Sequence, residues 1–313
     1  APSQTVIDNI AKVFANAPVS NPDGSTGVTI HPLLKKQVPY VDTLGVSSNY
    51  TQVWLQFDSI KNDFFDPAYA KSFRYMIWAN SYNDGTSSGL ARDIPSVDFM
   101  VTLGRWPTPG GSEWQQLGTF IHELGHCLGL KHGGTDHVNY KPNYLSVMNY
   151  FFQTWGLYKD GVWGDRSENP LLFDYQRFET PTLDENALNE PAGLGSASAL
   201  IGFGTTYYAN VGGRVGQYYA ASVTGPIDWN KDGVYTLGVV ADVNDDGEFT
   251  TLASQNNWSN INFSANGLIG PSATSAARAE AYARAMPEEL RHELDLETSQ
   301  RLARSRDAAA PAQ

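Results

Sequence analysis

Apolar residues at Leu117, Phe120, Ile121, Leu124 and Leu128 recur at helical spacing. Ser112 and Gln115 stand before them as a capping box, so the pattern predicts a helix over about 113–130. Upstream, residues 73–79 and 97–103 are apolar, aromatic-rich runs bounded by Gly, Pro, Asn and Asp clusters. In the second, Val97, Phe99, Val101 and Leu103 alternate on one face, and both runs read as strands. A short helix over 4–15 precedes the turn-rich Asn21-Pro22-Asp23-Gly24 and a strand near 27–31. After His132 regular periodicity is scarce, and Gly, Asn, Asp, Pro and Tyr dominate. Residues 272–306 turn helical and charged, with Pro287 ending one segment and opening another, and the chain is expected to fray from Asp307 onward.

These elements define an α+β fold in three parts. Residues 1–131 form a mixed α/β subdomain, 132–270 a looser one, and 271–313 a helical tail outside the core.

The predicted helix carries the chemistry. His122, Glu123, His126, Gly129 and His132 fit the pattern H-E-x-x-H-x-x-G-x-x-H. His122 and His126, at i and i+4, project from one helix face, where one Zn²⁺ can bridge them at about 2.0–2.1 Å each. Glu123, a quarter turn round the helix, is too far to join the ligands and is the natural proton carrier. Gly129 can take positive φ, end the helix and fold the chain back to deliver His132. Three neutral nitrogens leave the fourth tetrahedral position to water, as in a catalytic rather than a closed structural site.

On these residues the chain resembles the metzincins, zinc endopeptidases that join this histidine motif to a downstream methionine turn. Ser146-Val147-Met148-Asn149-Tyr150 matches that second signature, in the S-x-M-x-Y form of the astacin and serralysin branches. The resemblance implies that Met148 packs beneath the imidazoles. It implies that Tyr150 is a further zinc ligand that swings away to steady the transition state. It also implies a two-subdomain catalytic domain, with a twisted mixed sheet and long zinc helix above an irregular C-terminal subdomain. Gly133, after the third histidine, departs from the residues of the familiar branches. Residues 88–91, with Gly89, Leu90 and Ala91, fall where the family places an exposed edge strand, to which an extended peptide adds as another strand.

Composition narrows the partners. The 313 residues are 41% hydrophobic and 17% charged, with no apolar run long enough to span a membrane. A formal charge of −12 argues against nucleic-acid partners. Cys127 is the single cysteine, so no internal disulfide forms, and it reads as a small buried residue rather than a nucleophile. The start at Ala1-Pro2-Ser3, without an initiator methionine, reads as removal of a signal or propeptide. The expectation is a secreted, monomeric protein acting on protein or peptide substrates.

Two further segments, Asp228-x-Asn230-x-Asp232-Gly233 and Asp242-x-Asn244-x-Asp246-Gly247, each give the first half of a calcium loop. The twelfth positions are Val239 and Ala253, so the bidentate glutamate is missing unless Glu248 or a neighbouring loop supplies it. One or two Ca²⁺ ions stand against plain Asx turns.

The expected activity is hydrolysis of internal peptide bonds, with Glu123 and Tyr150 as catalytic groups. The rivals are a metal-stabilised binding protein without turnover and a narrow peptidase acting on cell-wall cross-links or one host protein.

Overall fold

The computed structural model describes residues 1–108 and 110–309 and divides into two compact units. The first comprises residues 1–15, 28–130 and 260–296; the second comprises 16–27, 131–259 and 297 onward. Residues 271–313, read as a tail, therefore contribute to both units. The architecture is mixed α+β.

In the first unit a three-stranded sheet lies between helices. Strands β1 (Tyr75–Trp78), β2 (Gly89–Ala91) and β3 (Asp98–Val101) are ordered β1-β3-β2, with β3 parallel to β1 and antiparallel to β2. Helix α1 (Gln4–Ala15) packs on helix α3 (Glu113–Cys127), and α3 covers one sheet face, where Phe120 meets Phe99 edge-on at 5.3 Å. Helix α2 (Tyr50–Phe64) covers the other, burying Val53, Trp54 and Phe57 against Ile77, Leu90 and Met100. Both faces of β3 are thus buried, and the expected one-sided alternation is replaced by the continuous burial of a central strand.

Helix α2, which the apolar pattern does not predict, begins at Asn49, whose side chain accepts from the Gln52 N–H. No strand forms at 27–31; the Val28 N–H donates to the Phe14 carbonyl, closing the end of α1 instead.

A buried ion cluster fastens the layers. Asp98, at the start of β3, is fully buried and pairs with Lys61 Nζ at 2.5 Å and Arg92 Nε at 3.2 Å. Helix α4 (Ser275–Tyr282) joins it, since Lys61 donates to the Tyr282 hydroxyl at 2.8 Å and the Arg92 guanidinium lies over the Tyr282 ring.

The second unit is built from two-stranded antiparallel pairs, some of neighbouring strands and some of strands distant in sequence. Strand β4 (Tyr158–Lys159) pairs with β5 (Val162–Trp163), β6 (Leu183–Asp184) with β11 (Thr251–Leu252), and β7 (Leu188–Asn189) with β10 (Leu237–Val239). The long hairpin β8 (Thr205–Val211) and β9 (Arg214–Ala220) turns through Gly212-Gly213, both at positive φ. Trp229, Tyr175, Phe152 and Phe173 fill its core. Helix α5 (Leu296–Ala309) extends into the segment expected to fray, of which 310–313 lie outside the described residues. Among the described residues no helix is long and apolar enough to cross a membrane.

Removing Asp98 should leave the half-buried Lys61 without its carboxylate and the buried Arg92 with Asp58 alone. Asp98→Ala is expected to lose about 3 kcal/mol of stability in urea unfolding; a loss below about 0.5 kcal/mol would show that the cluster holds nothing together.

Candidate metal centre

Helix α3 begins at the predicted capping box: Ser112 Oγ accepts from the Gln115 N–H, and Gln115 Oε1 accepts from the Ser112 N–H. It ends where Gly129 takes φ +94°, as the motif required. His122, Glu123 and His126 are all fully buried on it.

The two imidazoles meet through their Nε2 atoms, 3.1 Å apart, with ring planes at 87°. His126 Nδ1 lies 2.9 Å from the Leu130 carbonyl, which can only accept, so the proton is on Nδ1 and the Nε2 lone pair points into the cluster.

The structure adds a further donor group without any signal in motif spacing. Glu293, buried, sets Oε2 at 3.2 Å from His122 Nε2 and Oε1 at 3.4 Å from His126 Nε2. Donor atoms of His122, His126, His132 and Glu293 all lie within 4.8 Å of one another. A tetrahedral zinc ion with bonds of about 2.0–2.1 Å has ligand-to-ligand edges of about 3.3–3.4 Å, which the three measured separations match. The N₃O donor set therefore fits zinc. The fourth position, expected to be left to water, is approached instead by the Glu293 carboxylate.

The loop carrying His132 is tightly held. Lys141, buried, donates to Asp136 Oδ2 at 2.6 Å and to the carbonyls of Gly133 and Ala253. Burial pulls the Lys141 pKa down, and Asp136 opposes that. A Cβ at Gly133 would stand 2.3 Å from the Val138 carbonyl oxygen, which explains glycine after the third histidine. The Tyr150 hydroxyl lies 3.2 Å from His132 Nε2, next to the ligand atom. Met148 is fully buried, and its turn is set by Asn149, whose amide donates to the carbonyls of Lys141 and Tyr144.

Glu123 turns toward β2. A Cβ at Gly89 would lie 2.6 Å from Glu123 Cγ and Oε1, so this strand position must be glycine if the carboxylate is to sit where it does. Among the described residues neither Glu123 oxygen has a hydrogen-bond partner of ordinary geometry. Burial pushes its carboxyl well above the usual range, Glu293 pushes the same way, and the Ala91 N–H opposes them. Cys127 is buried against Ser96, and burial pushes its thiol up to about 12, which suits a packing residue. The expected exposed edge at Gly89, Leu90 and Ala91 is buried, and residues 294–296 pair beside it.

The two acidic loops fold alike. Asp228 accepts from the N–H groups of Asp232 and Gly233, and Asp242 from those of Asp245, Asp246 and Gly247. Each loop has a glutamate that motif spacing did not identify, Glu185 between β6 and β7 and Glu190 just after β7. Glu190 accepts from the N–H groups of Trp229 and Thr236, and Glu185 from those of Val243 and Thr250. Carboxylate oxygens of Glu190, Asp228 and Asp232 lie within 4.8 Å of one another. In the second loop Asn244 Oδ1 is buried without a hydrogen-bond partner among the described residues. Among the described residues only the first loop brings three carboxylates together as a hard cation requires, and both loops satisfy Asx turns.

No protein-family model, no curated protein and no solved structure matches this chain.

Calcium at about 100 times its Kd is expected to stabilise the chain by about 2.7 kcal/mol in thermal or urea unfolding, reversed by chelation. Glu190→Ala should shrink this increment. An increment of zero in the parent would leave the loops as Asx turns.

Proposed function

We propose that the chain is a secreted, metzincin-type zinc endopeptidase that cleaves internal peptide bonds of proteins as a monomer, with calcium held in its acidic loops. The observation that carries this reading is the pairing of converging imidazoles with a fully buried carboxylate one residue along the same helix. A site built only for structure has no use for Glu123, a carboxylate that is costly to bury.

Zinc, when bound, polarises a carbonyl and acidifies water. His122, His126 and His132 hold it through neutral nitrogens. Glu123 accepts the proton of the attacking water at its carboxylate and passes it to the departing amine nitrogen. The Tyr150 hydroxyl, beside His132 Nε2, donates to the oxygen that gains charge, an interaction strongest in the transition state.

One observation favours a second reading. With Glu293 beside His122 and His126 the donor set is closed, as in a zinc site that only stabilises a binding protein.

Glu123→Gln should retain one zinc per chain and lower chelator-sensitive digestion of casein, gelatin or a peptide library about 100-fold or more; unchanged digestion would remove Glu123 from the chemistry. Cleavage confined to peptidoglycan would mark the narrow peptidase instead. Gly89→Ala should push Glu123 aside, keep zinc, and cost turnover on the order of 100-fold. Equal turnover in that variant would show that the β2 contact does not position the base.

A further inference from the structure

Residues 282–296 belong to the first unit and run along α2 to the end of the sheet. Three anchors hold the approach. Lys61 donates to the Tyr282 hydroxyl, Trp54 Nε1 donates to Met286 Sδ at 3.4 Å, and the Tyr50 hydroxyl donates to the Arg291 carbonyl at 2.5 Å. Between them the backbone makes only one 3-10 turn, Glu288–His292, whose side chains Glu288 and His292 are exposed.

Beyond the turn the chain becomes an added strand. The Ser88 N–H donates to the Leu294 carbonyl at 2.8 Å, the Leu296 N–H donates to the Thr86 carbonyl at 3.2 Å, and Ser87 bridges Asp295 in antiparallel fashion. In that register Glu293 stands opposite Gly89, the residue against which Glu123 packs. Leu290 and Leu294 are buried on either side of it.

Resting on the zinc endopeptidase reading, we propose that this segment is a tethered inhibitor. It fills the backbone-pairing edge that an extended substrate needs, while Glu293 serves as fourth ligand to the ion held by the histidines. The chain is then latent until the segment leaves the edge. Main-chain pairing and carboxylate ligation are the two interactions that a peptide substrate and its scissile carbonyl must make in the same place. Segment and substrate therefore exclude each other. The same donor set accounts for a buried carboxylate at the end of a segment with so little regular structure of its own.

If the segment is displaced in about 1–10% of molecules, a ligand for the uncovered site binds about 10- to 100-fold more weakly than its intrinsic affinity. The test uses the full-length, zinc-loaded chain and a peptidyl hydroxamate, which ligates zinc and pairs as a strand. Binding is followed by calorimetry and by the visible spectrum of the Co²⁺-substituted protein. Glu293→Ala and the near-isosteric Glu293→Gln should each bind the hydroxamate at least about tenfold more tightly than the parent, at one zinc per chain. Their Co²⁺ spectra should differ from the parent's before ligand is added, since a ligand has been lost. Urea unfolding of the Gln variant verifies that it is folded.

Equal hydroxamate affinity in parent and folded variants overturns the latency proposal and leaves the endopeptidase reading standing. Variants that lose zinc without gaining hydroxamate affinity overturn it as well, in favour of the closed structural site. Failure of parent and variants alike to bind zinc sinks both readings.

Discussion

The convergence of imidazole nitrogens and carboxylate oxygens at 3.1–3.4 Å is the constraint on which the site depends. Lone pairs so close repel unless a proton or a cation lies between them, and with His126 Nδ1 committed to Leu130 its Nε2 is available as a ligand. The local conformations serve this one arrangement. The helix sets two imidazoles by periodicity, Gly129 turns the chain at φ +94°, and Lys141 ties down the loop after His132. Lys141 holds that loop through Asp136 and the Gly133 carbonyl nearby and ties it to the Ala253 carbonyl, distant in sequence.

The helix can hold this geometry because it is packed on a sheet buried on both sides. Phe120 on Phe99 fixes the rotation of α3 about its axis, and α2 backs the sheet from the opposite face. The Asp98 cluster joins β3, α2 and α4 by charge in the same layer. A rigid support matters most for Glu123, whose carboxylate has, among the described residues, neither a hydrogen-bond partner of ordinary geometry nor room to move toward Gly89.

What was legible in the sequence is what depends on near neighbours. The capping box, the apolar stripe of α3, the left-handed Gly129 and the runs that became β1 and β3 each have their cause within a few residues. The β8–β9 hairpin was equally local, with Gly212-Gly213 at its turn, but its tyrosine-rich strands do not alternate cleanly between apolar and polar. By contrast, the segment at 27–31 has strand-like composition and no neighbouring strand to pair with, so it stays irregular. Glu293, Glu190 and Glu185 were illegible for another reason. Each reaches its partners through the path of the chain, and no spacing rule relates Glu293 to His122. Gly133 lay between: its departure from familiar branches was visible, but its cause, a backbone oxygen 2.3 Å from where a Cβ would be, was not.

Covalent attachment changes what the segment beside β2 must achieve. A tethered ligand competes at an effective concentration of about 1 mM, so a weak intrinsic affinity suffices: a Kd of about 0.1 mM for the free segment would keep it seated about ten times as often as not. The Glu293 carboxylate, two main-chain hydrogen bonds and the buried Leu290 and Leu294 hold the end of the segment on the edge. Much tighter binding would defeat substrates present at micromolar levels, and much looser binding would leave the edge open to self-association. Leaving the edge requires that Leu290 and Leu294, buried on either side of Glu293, give up their packing as the carboxylate lifts from the histidines. On the peptidase reading, the closed donor set and the buried base describe one device: Glu123 is placed for turnover, and Glu293 holds the position that turnover requires.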